Sequence, residues 1–255
     1  MRLNTRTILY LLVLLSPWPV FAAECSAPPT TAVTTTPNVR RGHDVRFRAR
    51  LQEIETKLTG GAFDVLVLGD SIIQQWPQEA LDKAFPGRRV LNAGVSGDGS
   101  AALLHRLSSA RIPAVVDGQP VQLGIAGWER QRPAQVLVLI GTNDLDRAPP
   151  CDVALGVQAV AARVRQLYPA AAVAVLSVLP RGPTQAEFAD RIEAVNAAVD
   201  AAAAAGHFRF INAHRGLLCP AGATCAVTRP PNHVHLTPAG YELLGQSVRQ
   251  GLGAR

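Results

Sequence analysis

The stretch Val65–Trp76, VLVLGDSIIQQW, decides how this chain is read. Val65-Leu66-Val67-Leu68 is an apolar run long enough for one strand buried on both faces. Gly69-Asp70-Ser71 breaks the run, and a helix start follows. A chain leaving the carboxyl edge of a sheet in this way bends sharply. It can expose the serine hydroxyl beside the free N–H groups of a helix start. Asp70 or Ser71 suits the cap of that helix equally well. The three residues alone therefore leave a structural and a chemical reading open, and later stretches must decide.

Outward from this stretch, strands and helices alternate. Upstream, Val45, Leu51, Ile54 and Leu58 fit one face of a helix over about 42–58, stopped by Gly60-Gly61. Downstream, a helix is expected around Gln75–Ala84 and a turn at Pro86-Gly87. A second strand, Arg89–Asn92, then runs into the glycine-rich loop Ala93–Gly99, with a helix to about Leu107. Val136–Ile140, Val173–Leu179 and Phe208–Ile211 read as three further strands. The helices between them are Asp152–Leu167 and the alanine-rich Glu187–Ala205. Thr237-Pro238 opens a last helix, threonine as cap and proline at its first position. Residues 109–128, broken by Pro113, Gly118, Pro120, Gly124 and Gly127, form an inserted loop with room for a short hairpin. It is expected near the site, as a candidate for substrate selection. The pattern predicts an α/β fold: a mainly parallel sheet covered by helices on both faces.

Composition agrees. In 255 residues, 48% are apolar and 17% charged, which suits a folded core and excludes a disordered chain. The formal charge is +6. No dense basic run with interleaved aromatics is present, so nucleic acid is not an expected partner.

Residues 1–22 read as a secretory signal peptide: Arg2 and Arg6, an apolar core Ile8–Leu15, then Pro17 and Pro19 before Val20-Phe21-Ala22. The core is too short to span a bilayer, so no membrane span is expected after cleavage, and the mature chain would be secreted or periplasmic. Without the leader's two arginines the formal charge is +4. Residues 23–38, rich in Pro and Thr, read as an extended arm, and 39–255 as a single domain. Cys25, Cys151, Cys219 and Cys225 all follow the expected cut. An even count in an exported chain suggests two disulfides, for which three pairings exist. Cys219–Cys225, flanking a short loop, with Cys25–Cys151 tying down the arm, is the favoured one.

The carboxyl edge of such a sheet is where ligands gather. Read along it, the first strand delivers Ser71, the second Gly94, the third Asn143, and the segment before the last helix His233 and His235. A hydroxyl, a main-chain N–H, a side-chain amide and an imidazole are the parts that acyl transfer needs. Singly, each has a plainer use: Gly94 as a turn, Asn143 as a cap, the two histidines as a chance pair. Asp98 and Asp144 read as loop-ordering residues, and Trp76 and Trp128 as pocket walls or buried structural rings.

Four blocks in order carry a family resemblance. They are Gly69-Asp70-Ser71, Asn92-Ala93-Gly94, Gly141-Thr142-Asn143-Asp144, and His235-Leu236-Thr237 with Gly240-Tyr241. The chain resembles an SGNH hydrolase, or GDSL-type esterase or lipase. It is most similar to the platelet-activating-factor acetylhydrolase branch, which Gly97-Asp98-Gly99 and Leu179-Pro180-Arg181-Gly182 support. The resemblance spans about Val65 to Leu252. It implies a three-layer, flavodoxin-like sandwich with a five-stranded parallel sheet and no metal or organic cofactor. It implies Ser71 as nucleophile, His235 as base and then acid, and an oxyanion hole from Ser71, Gly94 and Asn143. The substrate it implies is a small-molecule or carbohydrate ester, with a short acyl group such as acetyl.

One departure matters. The family usually has an aspartate three residues before the histidine; here that place holds Asn232. An asparagine can accept from the ring N–H but brings no charge. In serine proteases the equivalent change costs about 10⁴-fold. Three outcomes stay open: a Ser71–His235 pair oriented by Asn232 or a main-chain carbonyl, a different acid, or a weak or silent site. The last would make the chain a carbohydrate- or ester-binding protein that keeps the hydrolase fold. A nucleotide-binding reading fails for lack of glycine after the first strand.

Overall fold

The computed structural model describes Cys25 and residues 44–116, 118–220 and 225–253. The expected leader, and the expected arm apart from Cys25, lie outside the described residues. The chain runs through helix Val45–Gly60 (α1), strand Val65–Gly69 (β1), helices Ser71–Gln74 (α2) and Gln78–Ala84 (α3), strand Val90–Gly94 (β2) and helix Ser100–Arg106 (α4). Strands Ile112–Val116 (β3) and Gln119–Leu123 (β4) follow, then strand Gln135–Leu139 (β5), helix Pro150–Leu167 (α5) and strand Ala172–Leu176 (β6). Helix Ala189–Ala203 (α6), strand Arg209–Ile211 (β7) and helix Pro238–Gly253 (α7) complete it.

Five of the strands form a sheet in the order β2-β1-β5-β6-β7, every pair parallel. Side chains alternate across it. Leu66, Leu68, Val136 and Val138 join a core with α1, α4, α5 and α6. Val65, Val67, Leu137 and Leu139 join a second core with α2, α3 and α7. Both faces are covered, which is why the strands read as unbroken apolar runs. The result is the three-layer sandwich expected from the sequence. The chain moves outward one way from β1 to β2 and the other way from β5 to β7. The gap beyond the carboxyl ends of β1 and β5 is therefore the switch point where such sheets bind ligands.

Several elements differ from expectation. The helix expected around Gln75–Ala84 starts only at Gln78, and a separate short helix, Ser71–Gln74, precedes it, because Pro77 lacks an N–H and disfavours helical geometry at Trp76. The fourth strand stops at Leu176, three residues early. Asn196 of α6 takes over there, accepting from Val178 N–H at 2.7 Å and donating to its carbonyl at 3.0 Å. Residues 109–128 do contain a hairpin, β3 paired antiparallel with β4. Its anchors are on α1, however: Arg111 pairs with Glu55, which also accepts from Ala126 N–H at 3.2 Å. Arg50 of α1 reaches the end of β2, and Glu55 lies about 7–8 Å further down the helix, away from the strand ends. Among the described residues, no hydrogen bond joins the hairpin to Ser71, Gly94, Asn143 or His235. The expected place beside the site is thus corrected.

Both disulfides have the favoured pairing, Cys25–Cys151 and Cys219–Cys225. Among the described residues, no helix is long and apolar enough to cross a membrane.

Candidate active site

The site is built at the turn after β1. Gly69 has no room for a side chain: a Cβ there would lie 2.2 Å from the Leu139 carbonyl oxygen. Asp70 caps α2, its Oδ1 accepting from Ile72 N–H at 2.8 Å. Ser71 is therefore the first helical residue, and its N–H has no acceptor within the helix. Capping and chemistry, rivals in the sequence, fall to different residues: Asp70 caps, which leaves Ser71 Oγ free to meet His235. Asp70 is wholly buried, and burial is the main cause that lifts its carboxyl to about 7.

His235 arrives from a small turn before α7. Thr228 pairs antiparallel with Leu236, Arg229 N–H donates to the His235 carbonyl at 2.8 Å, and Thr237 N–H to that of Val227 at 2.9 Å. Thr237 Oγ1 then caps α7 by accepting from Gly240 N–H at 3.1 Å. Two contacts bring this turn to the serine. Tyr241 of α7 donates its hydroxyl to the Ile72 carbonyl at 2.8 Å, and Arg229 donates to the Gln75 side-chain oxygen just after α2. His235 Nε2 then lies 2.9 Å from Ser71 Oγ. Partial burial first, and the Arg229 charge second, hold the imidazole below its ordinary value, so it is neutral at pH 7.

Asn232 does not hold that ring. It is exposed, and its Oδ1 accepts from Val234 N–H at 3.4 Å. Among the described residues, no hydrogen bond reaches His235 Nδ1. His233 stands apart, with Nδ1 3.0 Å from Thr228 Oγ1.

Asn143 follows β5, and its Nδ2 donates to the Asp98 carbonyl at 2.8 Å, which sets the amide plane. The N–H of Gly94, expected in the oxyanion hole, donates to Asn92 Oδ1 at 3.1 Å. Glycine is required there because β2 presses on the α2 turn: a Cβ would lie 2.3 Å from Gln74 N. Three residues on, Gly97 takes φ +78° and its N–H has no hydrogen bond among the described residues. Gly97 belongs to the Gly97-Asp98-Gly99 stretch that supports the family resemblance, and its place beside Asp98 is its signal in the sequence.

A buried ion pair lies behind these loops. Arg106 Nε donates to Asp98 Oδ2 at 2.6 Å, and the same guanidinium reaches the carbonyls of Gly69 at 3.3 Å and Ala93 at 3.4 Å. It ties the ends of β1 and β2 to the loop that carries Gly97 and fixes Asn143. The lone arginine in the apolar stretch 101–107 was its only trace in the sequence. Asp144 orders the neighbouring loop, as expected, by accepting from Ser100 N–H at 2.8 Å. Arg181 donates to the Thr142 carbonyl at 2.9 Å, and Gly182 N–H to that of His233 at 3.2 Å. That segment joins the asparagine loop to the histidine turn. Trp76 and Trp128 are both buried: Trp76 stacks on Tyr241 with centroids 6.1 Å apart, and Trp128 donates to the Arg106 carbonyl at 2.7 Å. Among the described residues, no group of three or more His, Cys, Asp or Glu gathers as a metal site.

Sheet order and helix layers define an α/β sandwich of the SGNH hydrolase type. Residues 67–243 match the GDSL-like Lipase/Acylhydrolase family, and the chain belongs to that family. It is 31% identical over 181 residues to the platelet-activating factor acetylhydrolase IB subunit alpha1 of Homo sapiens, covering 70% of each chain. It is 30% identical over 120 residues to the alpha2 subunit of Bos taurus, covering 47% of this chain and 45% of that one. Among solved structures, a GDSL-like lipase from Bacteroides thetaiotaomicron superposes with a TM-score of 0.58 at 20% identity, covering 80% of this chain and 98% of the other. The lipase/acylhydrolase from Enterococcus faecalis gives 0.53 at 20% identity, covering 74% and 95%. Membership of the family carries an acylhydrolase activity on esters.

Proposed function

We propose that this chain is an exported serine esterase that removes a short acyl group, acetyl included, from a small-molecule or carbohydrate ester. The observation that carries the proposal is the 2.9 Å contact between His235 Nε2 and Ser71 Oγ. Ser71 Oγ attacks the ester carbonyl while His235 Nε2 takes its proton. The same imidazole then protonates the leaving alkoxide, and a water activated in the same way releases the acid. Negative charge on the carbonyl oxygen is met by Ser71 N–H, Asn143 Nδ2–H and Gly97 N–H. Gly97 replaces Gly94 because the Gly94 N–H is already engaged. His235, held neutral, serves as base without a carboxylate partner, and Asn232 has no part in proton transfer. The acetyl preference is supported by the name of the acetylhydrolase relatives. Export is supported by the leader pattern and the two disulfides.

The test is hydrolysis of p-nitrophenyl acetate by the mature protein beside Ser71→Ala. Equal rates would remove Ser71 as nucleophile. The lack of a hydrogen bond to His235 Nδ1 among the described residues favours a second reading, a silent ester- or carbohydrate-binding protein. Covalent labelling of Ser71 by a fluorophosphonate separates the two, since only an activated serine reacts.

A further inference from the structure

Arg229 stands between the two halves of the site. Its backbone is paired with His235, and its guanidinium crosses to Gln75, whose own N–H donates to the Ser71 carbonyl at 3.0 Å. The cation thus spans from the histidine turn to the serine helix. Its partner there is a neutral amide. Three other arginines around the site meet carboxylates: Arg50 with Glu53, Arg106 with Asp98, Arg181 with Asp146. Asp70, next to the serine, does not offset Arg229 either: it is buried, and burial favours its neutral form.

We propose that Arg229 determines specificity, favouring esters that carry a carboxylate or phosphate close to the scissile bond. The proposal rests on the esterase reading of Ser71 and His235. After burial, this cation, with no carboxylate partner among the described residues, lowers the basicity of His235. With a neutral ester bound, that penalty remains. An anionic ester offsets it and gains an ion pair with a guanidinium that has donors to spare. Arg229 is exposed, so an incoming anion reaches it without desolvating a buried charge. The formal charge of +4 that remains without the leader's two arginines attracts such substrates from a distance. Arg229 acts on the bound ester and on the field at His235, and takes no part in proton transfer.

The test compares kcat/KM for three acetyl esters of similar shape: meta-acetoxybenzoate, phenyl acetate and meta-acetoxyphenyltrimethylammonium. The wild type is expected to favour the anionic over the cationic ester. Arg229→Gln is expected to reduce that ratio about tenfold, Arg229→Lys to keep most of it, and added salt to erode it in the wild type. Because ratios are compared between proteins, the intrinsic reactivity of each ester cancels. If Arg229→Gln fails to fold, Arg229→Met carries the same comparison, because the salt series by itself also registers the overall charge of the protein. Hydrolysis of all three esters with a ratio that neither Arg229→Gln nor salt changes would overturn the inference and leave the esterase reading standing. No hydrolysis of any ester, with no labelling of Ser71 by a fluorophosphonate, would overturn both.

Discussion

Arg106 Nε and Asp98 Oδ2 lie 2.6 Å apart, each side chain at most 5% exposed, behind the loops that carry the candidate site. Removing one member of a buried ion pair leaves the other charge unmatched. Arg106→Leu is expected to cost about 3–5 kcal/mol in urea unfolding. It also loosens the loop whose Asp98 carbonyl fixes Asn143, so any folded fraction should show a lower kcat. Wild-type stability in the variant would mean that the pair is not essential to the strand ends.

His235 is held below its ordinary value, and only its neutral form accepts the serine proton. Turnover should therefore fall as pH drops through that lowered value, with the acid limb below about 6.5. Asn232→Asp puts a negative charge near the imidazolium, which raises its pKa and moves the acid limb to higher pH. Asn232→Ala should change kcat by no more than about threefold, because the present side chain bonds Val234 and not the ring. A pH–rate profile for the three proteins checks both statements. A large loss in Asn232→Ala would show that Asn232 does orient His235.

Asp70 is raised to about 7 by burial, so the folded state holds its proton more tightly than the unfolded chain does. Its contribution to stability is complete below about pH 4 and is lost as pH rises towards 7. Asp70→Asn keeps an oxygen for the Ile72 N–H and removes the charge. It should match the wild type near pH 4 and exceed it at about pH 8, by at most roughly 4 kcal/mol. Urea unfolding at the two pH values measures the difference. The same margin at both would show that Asp70 does not titrate in this way.

Asn143 is held by the Asp98 carbonyl, which leaves its second amide hydrogen for substrate. Asn143→Ala should lower kcat roughly 10²–10³-fold with a smaller change in KM, as expected for a donor used mainly in the transition state. Gly97→Pro removes an N–H and should fall in the same range or lower, the proline ring being also at odds with φ +78°. Steady-state kinetics on p-nitrophenyl acetate reads both. A change confined to KM would place Asn143 in substrate binding only.

Cys25 and Cys151 are 126 residues apart in sequence. Closing so long a loop restricts the unfolded chain, so Cys151→Ser with Cys25→Ser should cost about 2–5 kcal/mol. Opening Cys219–Cys225, only 6 residues apart, should cost less. Thermal unfolding of the two double variants gives the order. The reverse order would mean that loop length does not set what the two bridges contribute.

The sheet was legible because a strand buried on both faces must be apolar throughout, and Val65–Leu68, Val136–Ile140 and Val173–Leu176 meet that demand locally. Ser71, Asn143 and His235 were legible because each lies at a break between a strand or turn and a helix, and such breaks are marked by residue type. These are properties of short windows. Tertiary structure decided the rest. Whether an N–H is spent or free depends on what stands opposite, so Gly94, occupied by Asn92, could not be told from Gly97 by composition. The hairpin's seat on α1, the Arg106–Asp98 pair and the 2.9 Å approach of His235 to Ser71 all join segments far apart in the chain. Such contacts have no local signature, because they exist only once the packed helices have set the distances between the strand ends.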